Sequence, residues 1–259
     1  MLGGRMISNT VNVATRDGSM EAYYSHPDEA GNFPAVIVYM DAPGYREELK
    51  GFARRIADNG YFCLLPDMYY RIGSLRFRLS HRDAAMSHAI NAARDSLNQE
   101  MVMSDTAAML AWLVGHGRAS TVKWGCIGYC LGGAFPLSAA GTFPDSMAAG
   151  ASLYGTRLVT DKTDSPHLLA KHMRAELYLG YANRDKGTPP ELISTLAGTL
   201  DKHGVIYDAE IHPNALHGFC FPERGVYNRE AAERAWGRVF TLFARRLQNA
   251  TDAKGRASS

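Results

Sequence analysis

Short strand-like runs recur along the chain at residues 35–40, 61–65, 122–127, 148–154, 175–180 and 205–211, and those at 35–40 and 61–65 are apolar without a break. Runs of that length with no polar alternation predict strands covered on both faces, as in a parallel sheet. Between them the apolar positions change to helical spacing. Leu49, Phe52, Ala53 and Ile56 form one stripe, closed by Asn59-Gly60. Residues 84–97 and 102–114 read as two further helices, the second with Val102, Met109, Leu110 and Leu113 on one side. A helix over 189–203 opens at Pro-Pro, and a long one over 229–247 turns Ala232, Ala235, Val239, Phe243 and Leu247 inward. Residues 11–24 alternate loosely about Asp17-Gly18, the signal of a hairpin. Residues 166–171 read as a short helix or a loop. The basic stretch 71–82 is either a loop over a pocket or a solvated face. Strand alternating with helix predicts an α/β fold, a doubly wound and mostly parallel sheet with helices on both faces. No repeat or linker divides it, so residues 1–248 are expected to be a single domain. The polar stretch 249–259 is expected to be a disordered tail.

The bulk numbers narrow the possibilities. The chain has 259 residues, 46% hydrophobic and 21% charged, with a net charge of +2, which suits a large core and gives no electrostatic case for nucleic acid or an anionic membrane. No apolar run approaches the ~20 residues of a membrane span, and residues 1–10 lack the apolar core of a secretory signal. A cytoplasmic protein with no membrane partner is expected, as a monomer or homodimer. Four cysteines, Cys63, Cys126, Cys130 and Cys220, are too few for a disulfide scaffold in a chain this long. Cys63 and Cys126 fall within apolar runs and read as buried thiols. Their spacing offers neither a zinc site nor a Cys-x-x-Cys redox pair.

The chemistry concentrates at Gly125-Cys126-Ile127-Gly128-Tyr129-Cys130-Leu131-Gly132-Gly133. An apolar run enters this stretch and a small-residue run leaves it. Cys130 stands at the corner, with Gly at minus two, plus two and plus three. A nucleophile elbow needs that spacing, because a Cβ does not fit at the flanking positions of so sharp a strand-to-helix turn. The residue after the corner, Leu131, would point its N–H at a developing oxyanion. A buried structural cysteine is the plain alternative. A phosphate loop fits poorly, since no Lys-Ser/Thr pair follows the glycines.

An acyl-transfer triad also needs an imidazole and a carboxylate to orient it. On this kind of fold the order is nucleophile, acid, histidine. Asp185 comes just beyond the run ending at Gly180, and His217 just beyond the run ending at Ile211, both at expected strand C-terminal ends where open α/β sheets build sites. Taken singly, Asp185 reads as a turn residue and His217 as one of nine histidines. Their order and placement together carry the assignment.

Gly-Tyr-Cys-Leu-Gly-Gly at 128–133, Pro66-Asp-Met-Tyr-Tyr-Arg71, the 180–189 loop and His217-Gly-Phe219 together resemble the dienelactone hydrolase family, over roughly residues 34–247. The resemblance implies an α/β-hydrolase fold with Cys130 as nucleophile, Asp185 as acid and His217 as base. It also implies the N–H of Ala42 as second oxyanion donor beside that of Leu131, Asp41 as the partner of the resting thiol, and Arg71 as a substrate-binding residue. Two departures stand out. Asp41 occupies a position where the family commonly has Glu. Phe221 replaces an Arg that grips the substrate carboxylate, leaving Arg224 as the nearest cation. The aromatic set Tyr39, Tyr154, Tyr181, Phe219 and Phe221 suits a less charged substrate or core packing, with Tyr154 and Phe219 the candidates for substrate contact and Tyr39 for the core.

The expectation is therefore a hydrolase of a small-molecule carboxylic ester or lactone acting through a thioacyl-enzyme, with no metal or organic cofactor required. A thioesterase or acyltransferase on the same triad and a non-catalytic small-molecule-binding protein of the same fold are the rivals. A dithiol cycle between Cys126 and Cys130 is a distant one.

Overall fold

The computed structural model describes residues 5–248. They fall into two compact units, divided between Thr121 and Val122. The first begins with β1 (Met6–Thr15) and β2 (Gly18–Pro27), an antiparallel hairpin whose register closes at Thr15 opposite Gly18. β3 (Phe33–Tyr39) follows, then α1 (Glu47–Ala57) and β4 (Phe62–Pro66). β3 and β4 are parallel, β2 and β4 antiparallel, and the strand order is β1-β2-β4-β3. Ala35 through Tyr39 have no exposed surface, as an uninterrupted apolar strand covered on both faces requires. α1 packs its Leu49–Phe52–Ala53–Ile56 stripe against β2 and β4. Two 3₁₀ turns, Tyr70–Ile72 and Leu79–His81, occupy the basic stretch. α2 (Ala84–Asp95) and α3 (Gln99–His116) follow, capped by Asp83 and Asn98, whose side chains accept main-chain N–H bonds at the helix starts.

The second unit is built from four parallel strands in the order β5-β6-β7-β8. These are β5 (Ala119–Tyr129), β6 (Met147–Leu153), β7 (Glu176–Arg184) and β8 (Tyr207–Leu216). Between β5 and β6 lies a 3₁₀ turn, Cys130–Ala134, running into α4 (Phe135–Thr142). Residues Pro166–His172 form a further 3₁₀ segment, α5 (Pro190–Lys202) joins β7 to β8, and α6 (Arg229–Phe243) packs on β6 and β7 before a π-helical turn, Ala244–Gln248. The fold class is thus a mixed, mostly parallel sheet flanked by helices. The strands of the second unit run further than their apolar cores suggest: β5 by two residues to Tyr129, β7 by four to Arg184, β8 by five to Leu216. Each extension ends one residue short of a candidate site residue. The expected disordered tail at 249–259 lies outside the described residues. Among them, no helix is long and apolar enough to cross a membrane.

Candidate active site

Cys130 is the first residue after β5 and has φ 54°, in the left-handed region that side chains with a Cβ rarely adopt. The surroundings enforce that conformation. The Cys130 carbonyl accepts a hydrogen bond from the Thr156 N–H at 2.9 Å. A Cβ at Gly128 would sit 1.9 Å from the Gly132 carbonyl oxygen, so the chain can fold back this closely only over a glycine. Leu131 follows inside the 3₁₀ turn, at the start of which main-chain N–H groups lack a partner within the turn.

Asp185 and His217 are brought together by strand register. Pairing between β7 and β8 moves from Ala182 opposite His212 to Arg184 opposite Leu216. Two residues of β7 are thus matched by four of β8. The surplus falls at Pro213 and Asn214, the latter at φ 55°. One residue beyond the Arg184–Leu216 pair, the His217 Nδ1–H donates to Asp185 Oδ2 at 2.7 Å. Gly187 N–H donates to the other oxygen, Oδ1, at 2.7 Å, so both carboxylate oxygens are engaged. Gly218, at φ 93°, lets the chain turn away directly after the imidazole.

The imidazole makes a second hydrogen bond, to Cys130. Burial alone would lower the His217 pKa, but its interactions with Asp185 and Cys130 outweigh that and raise it to about 10. For Asp185 burial pushes upward, but the His217 bond and charge and the Gly187 N–H hold the carboxyl below its ordinary value. The Asp185 side chain is 3% exposed and that of His217 30%, so the carboxylate is sealed while the imidazole keeps an open edge.

Tyr154 completes the setting. It holds φ 39°, its N–H donates to the Gly180 carbonyl at 2.7 Å, and its ring meets His217 edge-on with centroids 5.2 Å apart. Phe219 packs edge-on against Tyr154 at 5.0 Å and, tilted, against His212 at 4.9 Å. Both rings, expected to touch substrate, are fully buried and meet edge to face. Phe221 is also buried, packed on Tyr129 at 5.4 Å, with the Arg224 guanidinium 4.6 Å above its ring. Tyr39 is a core residue, its hydroxyl 2.8 Å from Thr106 Oγ1.

The remaining predicted residues lie in the first unit. Asp41 is fully buried and holds a bidentate ion pair with Arg46, at 2.5 and 3.2 Å. The Ala42 carbonyl accepts from the Tyr69 hydroxyl at 2.7 Å. Arg71 donates twice to Asp105, at 2.8 Å each, and once to Asp17 at 2.8 Å. Its guanidinium is committed to carboxylates of its own chain. Arg46 escaped the sequence reading; its signal is an Arg five residues after a buried Asp, across the turn at Gly44.

Cys63, Cys126 and Cys220 are buried, Cys130 is half-exposed, and none is in a disulfide. Burial pushes the Cys63 and Cys126 thiols well above their ordinary range. Cys130 alone has the access that an attacking thiol needs.

The mostly parallel sheet, the sharp turn at Cys130 and the acid and histidine after β7 and β8 define a hydrolase of the α/β-hydrolase class. Residues 20–247 match the dienelactone hydrolase family, and the chain belongs to it. A protein of Methylorubrum extorquens, assigned as a carboxymethylenebutenolidase, is 31% identical over 92% of this chain and 81% of its own length. A Klebsiella pneumoniae crystal structure, assigned as a dienelactone hydrolase, superposes with a TM-score of 0.82 at 24% identity, over 93% of this chain and 99% of the other. A dienelactone hydrolase-like promiscuous phosphotriesterase from metagenomic libraries gives 0.79 at 23% identity, covering 94% and 100%. Membership of that family makes the chain an enzyme of the kind that hydrolyses small esters and lactones.

Proposed function

We propose that this enzyme cleaves a carboxylic ester or lactone through a thioacyl-enzyme on Cys130, with His217 as acid and base and Asp185 as its orienting carboxylate. The observation that carries the proposal is the pair of bonds made by one imidazole, to Asp185 and to Cys130. A histidine whose pKa is raised to about 10 rests as imidazolium at neutral pH, a positive charge beside the attacking sulfur.

The thiolate attacks the carbonyl carbon, forming a C–S bond while the carbonyl electrons move to oxygen. The N–H of Leu131 is the proposed donor to that oxyanion. Collapse expels the alkoxide, which takes the His217 proton and leaves as alcohol. Acylation removes the sulfur's charge, and with it two of the causes that raised the imidazole. His217 has given up its proton and, with its pKa lowered toward the ordinary range, stays neutral and free to draw a proton from water. Hydroxide attacks the thioester, the C–S bond breaks, and acid and thiolate are released with the imidazolium restored. A thiolate leaves readily, so activated esters and enol lactones are favoured over amides. Because Arg71 is held by Asp105 and Asp17, no carboxylate on the substrate is required for its role.

The test is p-nitrophenyl acetate hydrolysis with rapid-quench mass spectrometry. An acetyl group on the Cys130 peptide, with activity abolished in Cys130→Ala, is the expected result. Turnover by Cys130→Ala at the unmodified rate reassigns the nucleophile.

A further inference from the structure

The C-terminal ends of β5, β7 and β8 carry the candidate active site; the opposite edge of the same strands carries a second feature. There a cleft of about 520 Å³ opens beside the starts of β5 and β6, the segment before β7 and the π-helical turn after α6. Its wall holds four cations, Lys123, Arg174, Arg245 and Arg246. Two carboxylates serve them. Asp145 pairs with Arg174 at 2.6 Å, and Glu176 pairs with Arg245 and, at 3.8 Å, with Arg246. The Lys123 ammonium donates to the main-chain carbonyl of Asp145 at 3.0 Å, which leaves its charge unneutralised. The cleft therefore carries about two positive charges in excess.

A helix C-terminus attracts basic side chains, which accounts for Arg245 and Arg246. It does not account for Lys123 and Arg174, which arrive on other elements and converge on the same space. Glu176, 12% exposed, pairs with both arginines, whose own side chains remain 52% and 37% exposed. Guanidinium forks and an ammonium held around one concavity match the oxygens of a dianion. The volume lies in the range of small-molecule sites and exceeds what one phosphate fills. Pro144, Met147 and Ala148 supply an apolar wall for the rest of a ligand.

We propose that this cleft binds a phosphorylated small molecule through its dianionic phosphoryl group, at a site separate from Cys130. The test titrates the full chain with adenosine 5′-monophosphate, inorganic phosphate and adenosine at constant ionic strength, by calorimetry and thermal unfolding. The nucleotide is expected to bind one per chain, inorganic phosphate more weakly, and adenosine not at all over the same range. Lys123→Gln and Arg246→Gln should each weaken nucleotide binding about tenfold, the loss of one charge-assisted bond. Cys130→Ala should leave it unchanged. Unliganded melting curves of each variant separate lost binding from lost folding, and Lys123→Gln changes only a part-exposed side chain. Equal binding of adenosine and its monophosphate, affinity unaltered in both cation variants, loss of binding in Cys130→Ala, or no binding of either phosphate would each overturn the proposal.

Discussion

Replacing Asp185 with Asn tests the site at its least exposed member. The exchange keeps the shape and removes one charge from the 2.7 Å bond that orients His217. Two unit charges about 4 Å apart at an effective dielectric of about 20 interact by about 4 kcal/mol. The open edge of the imidazole, 30% exposed, lets solvent reduce that to about 2–3 kcal/mol. At 1.36 kcal/mol per pKa unit, the imidazolium loses about two units, from about 10 toward about 8. The same energy taken from the transition state, where His217 must be charged and aligned, lowers kcat/KM about 30- to 150-fold. Iodoacetamide alkylation of Cys130 across pH 5–11 reads the titration, since the other three cysteines are buried. Hydrolysis of p-nitrophenyl acetate reads the rate. The high-pH inflection should move down by about two units in the variant. An alkylation profile identical to that of the unmodified enzyme, with a rate loss under about threefold, would mean that Asp185 does not act on the imidazole.

Further outcomes follow from the same geometry. Gly128→Ala forces a Cβ to within 1.9 Å of a main-chain oxygen, so the elbow must open; a loss of about 3 kcal/mol or more in urea denaturation is expected, together with loss of esterase activity. Arg71→Met strands Asp105, a side chain 3% exposed, and should cost about 3–5 kcal/mol of stability. That variant should leave the ratio of kcat/KM between carboxylated and uncharged esters unchanged, whereas a selective loss on carboxylated esters would restore Arg71 as a substrate clamp. Stability should also depend on His217. Its folded pKa, about 10, lies above the ordinary 6.5, so the folded chain holds a proton that the unfolded chain releases. That contribution is complete below about pH 6.5 and is lost as pH rises toward 10, and the difference in unfolding free energy between the unmodified chain and His217→Gln should shrink over that window.

The runs located every strand of the second unit, most sharply β6, which is buried along its whole length, and least sharply β8, where Asp208, Glu210 and the exposed Ile211 interrupt the pattern. Their ends were less legible. β7 continues through Tyr181, Ala182, Asn183 and Arg184, and β8 through His212, Pro213 and Asn214, residues that look like loop when only hydrophobicity is read. What keeps them extended is main-chain pairing with the neighbouring strand, a tertiary effect invisible to local pattern. The elbow was legible for the opposite reason: its requirement is steric, and three glycines at fixed offsets record it directly. Arg71 shows the converse limit. Its place after Pro66-Asp67 suggested a substrate contact, but Asp105, 34 residues on, is brought close only by folding and occupies both ends of the guanidinium.

The bulge in β8 shows how much of the proposed chemistry rests on residues with no chemistry of their own. With uninterrupted register, the residue of β8 opposite Arg184 would be Asn214, and the one facing Asp185 would be Ala215. The two extra residues at Pro213 and Asn214 carry Leu216 into that place and present His217 to the carboxylate. Proline removes a main-chain donor, and the left-handed Asn214 lets the strand kink; both suit a bulge and neither suits a regular ladder. Inserting two alanines between Leu216 and His217 leaves the ladder intact through the Arg184–Leu216 pair and carries the imidazole two residues past Asp185. Esterase activity should then fall to the level of His217→Ala, while circular dichroism keeps its α/β character. Full activity in that insertion would show that the register of β8 does not position the histidine.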